Sequence, residues 1–157
     1  MTREEILADL SAYAAGLDAE LSLLRRIQRL SEVQREAADT VDAERLEQIA
    51  DERERLMAGL FRIEHEIRDT RHRLAANQGL AADLPGFTEV AQAHRTAGAL
   101  IARIMASDEA TMGAMHDAEA ARREASQAVE AGEATLTAYR RVVAPALSSP
   151  SLLNRRG

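Results

Sequence analysis

The chain has 157 residues, a net charge of −6, no cysteine and only 3% aromatic residues. This length fits one domain that can bury a core without disulfides or a structural metal, and the lack of cysteine excludes disulfides, thiol catalysis and cysteine-based zinc sites. The basic residues are all arginine and are scattered among acids, a pattern that argues against nucleic-acid binding.

The N-terminal segment has no targeting pattern. It reads Thr2-Arg3-Glu4-Glu5, which is acidic where a secretion signal would be basic. No uncharged run approaches the ~20 residues that a helix needs to cross a bilayer. We therefore expect a cytoplasmic protein without membrane insertion.

The first helix is predicted at about residues 3–37. Thr2 and Glu5 have the spacing of a capping box, in which each side chain accepts a hydrogen bond from the other residue's backbone amide. Behind this start, apolar residues recur every three or four positions, which places them on one face of a helix. These residues are Leu10, Tyr13 or Ala14, Leu17, Leu21, Leu24, Ile27 and Leu30.

A second helix is predicted at about residues 41–76. Side-chain oxygens in the segment 38–42 can accept the free amides of a new helix, so the first turn falls there. The apolar line that follows alternates spacings of three and four, which is typical of a coiled coil or helical bundle. Its members are Leu46, Ile49, Arg53, Leu56, Leu60, Ile63, Ile67, Thr70 and Leu74.

A third helix is predicted at about residues 87–144. Asn77-Gln78-Gly79 ends the second helix, and Leu84-Pro85-Gly86 opposes a new start before Phe87. The packing face of the third helix is predicted to run through Ile101, Ile104, Asp108, Thr111 and Met115, and then through Val129, Leu136, Tyr139 and Val143. Residues 145–157 contain several serines and two prolines and are predicted to form a disordered tail.

These elements predict the fold class. We expect an all-α protein with an antiparallel helical hairpin and a long C-terminal helix, packed as one coiled-coil-like bundle over residues 1–144. The third helix is much longer than the other two, so it has to extend past them or fold back on them.

Catalytic, cofactor-binding and metal-binding patterns are not evident. His65, Asp69 and His72 share one helical face, but they lie among charged residues on a face predicted to be solvated, so we assign them no metal. His94 and His116 are solitary, and we assign them structural or surface roles as well. We therefore expect no enzymatic activity and no cofactor.

Arg53 is the one cation on the apolar line of the second helix. A hairpin centred near residues 81–82 places it opposite about residue 110, and Asp108 is the polar residue closest to that level on the third helix. We predict a structural ion pair between Arg53 and Asp108, which would set the register of the two helices. The alternative is a small helical enzyme in which Arg53 grips an anionic substrate.

Two segments resemble a known family. Asp42-Ala43-Glu44-Arg45-Leu46-Glu47-Gln48-Ile49, followed by residues 52–60, is similar to the second helix of the FlgN-type flagellar export chaperones. Gly132 with Leu136 and Tyr139 resembles the end of the last helix in that family, and the order and length of the helices also match.

The resemblance implies a chaperone that binds the C-terminal helical segment of hook-filament junction proteins, prevents their premature assembly and delivers them to the flagellar export machinery. The partner surface is predicted at Val129, Leu136, Tyr139 and Val143, which form an apolar stripe. Two other interpretations stay open: an adaptor or chaperone of another secretion system, and the small enzyme. The sequence also leaves open whether the chain forms homo-oligomers.

Overall fold

A computed structural model describes the backbone of residues 1–147 and the side chains of residues 1–141. It contains four helices, α1 (Arg3–Asp39), α2 (Ala43–Ala76), α3 (Gln78–Ala81) and α4 (Phe87–Leu147). No strand occurs in this part of the chain. The predicted all-α fold class is therefore confirmed, and the four-residue α3 is an addition inside the predicted turn.

The chain divides into two units, Met1–Met112 and Gly113–Gly157. The first unit holds α1, α2, α3 and the N-terminal part of α4. In the second unit every described side chain, up to Arg141, is exposed. This division differs from the single bundle predicted over residues 1–144, because the described part of α4 beyond Met112 buries no side chain.

The ends of α1 and α2 follow the capping pattern of the sequence. The Thr2 side chain accepts from the Glu5 amide at 3.2 Å, and the Glu5 carboxylate accepts from the Thr2 amide at 2.6 Å. Asp42 caps α2 by accepting from the Arg45 amide at 3.1 Å. Between the helices, Val41 has a φ of 55°, a left-handed conformation that β-branched residues rarely adopt.

The boundaries of α4 match the prediction at its start and differ at its end. Gly86 precedes the helix with a φ of 89°, which glycine adopts without steric cost, and α4 begins at Phe87 as predicted. The helix continues past Pro145 to Leu147. The predicted disordered tail therefore begins too early, and the rest of it, residues 148–157, lies outside the described residues.

The core of the first unit forms two clusters along the three long helices. One surrounds Leu10, Leu17 and Ile67 near the α2–α4 turn, and the other surrounds Leu24, Leu60 and Ile104. The predicted apolar faces of α1 and α2 supply most of these residues. Burying each leucine or isoleucine contributes roughly 1.5–3 kcal/mol, so the clusters account for the packing of the helices.

The packing face of α4 agrees with the prediction between Ile104 and Thr111 and differs from it on either side of this segment. Leu100 is buried and Ile101 is exposed, whereas Ile101 was predicted to pack. Ile104 and Thr111 are buried as predicted, and Met115 is exposed rather than part of the core. Alanine is frequent on α4, and small side chains define the packing face of a helix weakly, which explains why these two positions were predicted wrongly.

Helices α1 and α2 approach closely at Gly16. A Cβ atom at this position would collide with Cγ2 of Ile67, and Ile67 is itself buried in the core. The methyl branch of isoleucine sits on a stiff χ1 torsion, so it cannot easily move aside. The absence of a side chain at Gly16 therefore permits the helix contact.

Gly16→Ala is expected to destabilise the protein by about 1 kcal/mol, because overpacking costs roughly 1–3 kcal/mol and exceeds the gain in helix propensity of about 1 kcal/mol. Gly98→Ala is the matched control. It also lies in a helix, but a Cβ there meets nothing within 4 Å, so it should stabilise by up to about 1 kcal/mol. Urea denaturation followed by circular dichroism measures both changes. Equal shifts of the two variants would contradict the close contact.

Candidate functional site

A polar cluster joins the three long helices inside the first unit. It consists of Tyr13 and Glu20 on α1, Glu64 and Arg71 on α2, and His94 on α4. Arg71 Nη2 donates to both Glu64 oxygens at 2.8 and 2.9 Å, and Arg71 Nε donates to Tyr13 Oη at 3.1 Å. Tyr13 Oη lies 2.8 Å from His94 Nδ1. Because the hydroxyl accepts from Arg71, its own proton is available to His94.

Glu20 is the most buried acid of this cluster, with 4% of its surface exposed. Burial, together with the neighbouring Glu64 carboxylate, raises the pKa of Glu20 to about 7. Burial would raise the pKa of Glu64 as well, but hydrogen bonds from Arg71 and Glu20 lower it below its usual value. Below about pH 7 the pair therefore holds one proton, which resides mainly on Glu20.

Two cavities open beside the polar cluster. The first, of about 300 Å³, is lined by Glu20, Glu64, Arg71, His94, Ala97, Gly98 and Ile101. The second, of about 420 Å³, is larger and more apolar, with Tyr13, Leu74, Phe87, Val90 and His94 among its lining residues. Both lie where side chains of α2 and α4 meet. The polar cluster thus faces space that a ligand or partner side chain can enter.

The predicted pair of Arg53 and Asp108 is in contact. Arg53 Nη1 and Nη2 donate to the two Asp108 oxygens at 2.7 and 2.6 Å, and their side chains are 18% and 33% exposed. Ser31 Oγ donates to Asp108 at 3.2 Å, while Arg53 Nη1 also reaches Gln34 at 2.8 Å. The hydrogen bonds from Arg53 lower the pKa of Asp108. Because these hydrogen bonds join Arg53 of α2 to residues of α1 and α4, Arg53 links the three long helices.

The predicted partner-binding residues lie on α4 in the second unit. Val129, Leu136 and Tyr139 are all exposed, and their spacings of seven and three residues place them on one helix face. We call these three residues the C-terminal stripe. The side chain of Val143 lies outside the described residues.

The polar cluster was missed by the sequence analysis. His94 was assigned a structural or surface role as a solitary residue, and Glu64 was placed on a solvated face. The one available signal was Glu20, which lies three residues after Leu17 and four before Leu24 and therefore occupies a packing position of α1. Its partners could not be found in the sequence, because they come from two other helices.

The histidines of α2 take no part in the hydrogen bonds described for this cluster. His65, Asp69 and His72 are all exposed. Within the described residues, no group of three or more metal-ligating side chains has a geometry that could hold a metal ion. Over the same residues, none of the helices is long and apolar enough to traverse a bilayer.

Comparisons of the chain with protein-family models, curated protein sequences and solved structures found no match.

Proposed function

We propose that this protein is a cytoplasmic export chaperone that binds the C-terminal helical segment of flagellar hook-filament junction proteins, prevents their premature assembly and delivers them to the export machinery. The observation that carries this proposal is the C-terminal stripe. Leu136 and Tyr139 are 58% and 65% exposed, so two large apolar side chains face water on the same side of a helix. Such a face is typical of a helix that docks on another helix.

The environment of the stripe supports a role in binding. Every described side chain of α4 from Met112 to Arg141 is exposed, so this part of the helix lacks tertiary burial within the described residues. Most helices in proteins depend on packing rather than on helix propensity for their stability. A partner helix that covered the stripe would supply that packing, and the sequence resemblance to the FlgN-type chaperones names the kind of partner.

The test is a double substitution in the stripe, Leu136→Asp with Tyr139→Asp. We expect it to abolish co-purification with a co-expressed hook-filament junction protein from the same genome, because two carboxylates cannot be buried against an apolar helix. The melting of the first unit should stay unchanged. Amide hydrogen exchange of residues 125–141 should be fast in the free protein and slow in the complex.

The matched control is Ala131→Asp with Ala134→Asp. It introduces the same charge at the same spacing on the opposite side of α4, where both alanines are exposed, and it should leave co-purification intact. Retained binding by the stripe variant, or equal loss with the control, would contradict the proposal. Unfolding of the whole chain by the stripe variant would place these residues in a core instead.

A further inference from the structure

Within the first unit, α2 and α4 run antiparallel and form a groove between them. Two contacts define how residues of one helix align with residues of the other. Arg53 of α2 pairs with Asp108 of α4, and eleven residues further along α2, Glu64 lines a cavity together with His94 and Gly98. Residues between these contacts therefore lie at matching levels on the two helices. Phe61 of α2 is at the level of Ile101 of α4, and Met105 lies about one turn further along α4, toward Asp108.

Large apolar side chains border this groove and remain in water. Phe61 is 68% exposed and Met105 is 66% exposed, and Ile101 between them is also exposed. Each of these three residues shares a helix face with a residue that takes part in the contacts between α2 and α4. Phe61 lies three residues before Glu64. Ile101 lies seven residues after His94, and Met105 lies three residues before Asp108. The α2/α4 groove is thus defined by Phe61, Glu64, His94, Gly98, Ile101 and Met105.

The floor of the groove contains an acid without a cation. Arg71 Nη2 donates both of its hydrogen bonds to Glu64, and Arg71 Nε donates to Tyr13. Among the ion pairs of the described residues, none includes Glu20, although Glu20 is almost fully buried and lines the cavity of about 300 Å³. Its hydrogen-bonding neighbour is another carboxyl group, Glu64. Once Glu20 loses its proton, the buried carboxylate needs a compensating charge.

We propose that the α2/α4 groove docks an amphipathic helix of a partner protein, and that a lysine or arginine on the apolar face of this helix places its cationic group in the cavity between Glu20 and Glu64. The apolar side chains of the partner cover Phe61, Ile101 and Met105. Gly98 leaves room for the entering side chain, because its Cα carries no substituent and a Cβ there would meet nothing within 4 Å.

The chemistry of the cavity favours a single positive charge. The groups facing Glu20 are Tyr13 from α1, Glu64 and Arg71 from α2, and His94 from α4. With Glu64 neutralised by Arg71, ionised Glu20 leaves one negative charge, which one ammonium or guanidinium group balances. Binding of the cation replaces the proton that Glu20 otherwise holds, so this partner contact strengthens as pH rises through about 7.

The experiment uses the full chain and two labelled helical peptides of about 18 residues, long enough to form helix on binding. Both consist of alanine, glutamine and a leucine face, and one central position on that face is arginine in the first peptide and norleucine in the second. Fluorescence anisotropy should show the arginine peptide binding about tenfold more tightly at pH 8, with a smaller preference at pH 6. Glu20→Gln should remove the preference for arginine.

Substitutions on the apolar border locate the site. Phe61→Asp and Met105→Asp should each weaken both peptides at least about tenfold, whereas Ala106→Asp, an exposed residue next to Met105 on another side of α4, should leave binding unchanged. Equal affinity of the two peptides, or a preference that survives Glu20→Gln, overturns the assignment of the cation site. A concentration-dependent dimer of the protein alone that Met105→Asp dissociates would show that a second copy covers the groove, and would overturn the proposed partner.

Discussion

Arg53→Met is expected to lower the free energy of unfolding by about 2–3 kcal/mol. The substitution leaves the Asp108 carboxylate partly buried without its cation, and breaking a buried pair in this way costs roughly 3–5 kcal/mol. The expected cost is smaller than this range because Asp108 is 33% exposed and water screens part of its charge. Urea denaturation followed by circular dichroism at neutral pH measures the change.

Two further variants separate the ion pair from general effects of removing a charge. Arg26→Met is the control, since Arg26 also pairs with an acid of a neighbouring helix, Glu52, at 3.9 Å, but the two side chains are 51% and 50% exposed, so it should cost less than about 1 kcal/mol. The double variant Arg53→Met with Asp108→Leu should recover most of the lost stability, because both charges are gone. A cost for Arg53→Met no larger than for Arg26→Met would contradict a structural role of the pair.

The second large effect is a loss of stability between about pH 5 and pH 8 that depends on Glu20. The pKa of this carboxyl is raised from 4.5 to about 7 in the folded protein, so between these values the folded state holds a proton that the unfolded state releases. The contribution of protonated Glu20 is complete below the unfolded pKa and is lost as pH rises through the folded one. The total is on the order of 3 kcal/mol.

Glu20→Gln tests this effect directly. Glutamine has the shape of the protonated acid and cannot ionise, so the variant should match the unsubstituted protein at about pH 5 and exceed its stability by a few kcal/mol at about pH 8. Glu66→Gln, which removes one charge from an exposed position two residues from Glu64, should show no such divergence. Parallel stability profiles of the Glu20→Gln variant and the unsubstituted protein from pH 5 to pH 8 would contradict the buried acid.

Much of the fold could be predicted because its determinants are local. The line from Ile49 to Leu74 on α2 repeats at helical spacing, and all of its members are buried or half-buried. The capping box of Thr2 and Glu5 and the cap at Asp42 depend on side chains within three residues of each other. Even the pairing of Arg53 with Asp108 followed from counting outward from the turn, since an antiparallel hairpin determines the level of opposing residues.

The tertiary structure decided the rotation of α4 and the content of the candidate site. Which face of α4 packs depends on neighbours from α1 and α2, and a helix rich in alanine offers several faces of similar hydrophobicity, so Leu100 rather than Ile101 is buried. The polar cluster brings Tyr13 within hydrogen-bonding distance of His94, 81 positions later in the sequence, and no local pattern encodes that distance. Glu20 acquires its raised pKa from this assembly, because burial and the facing Glu64 exist only after the three helices have packed.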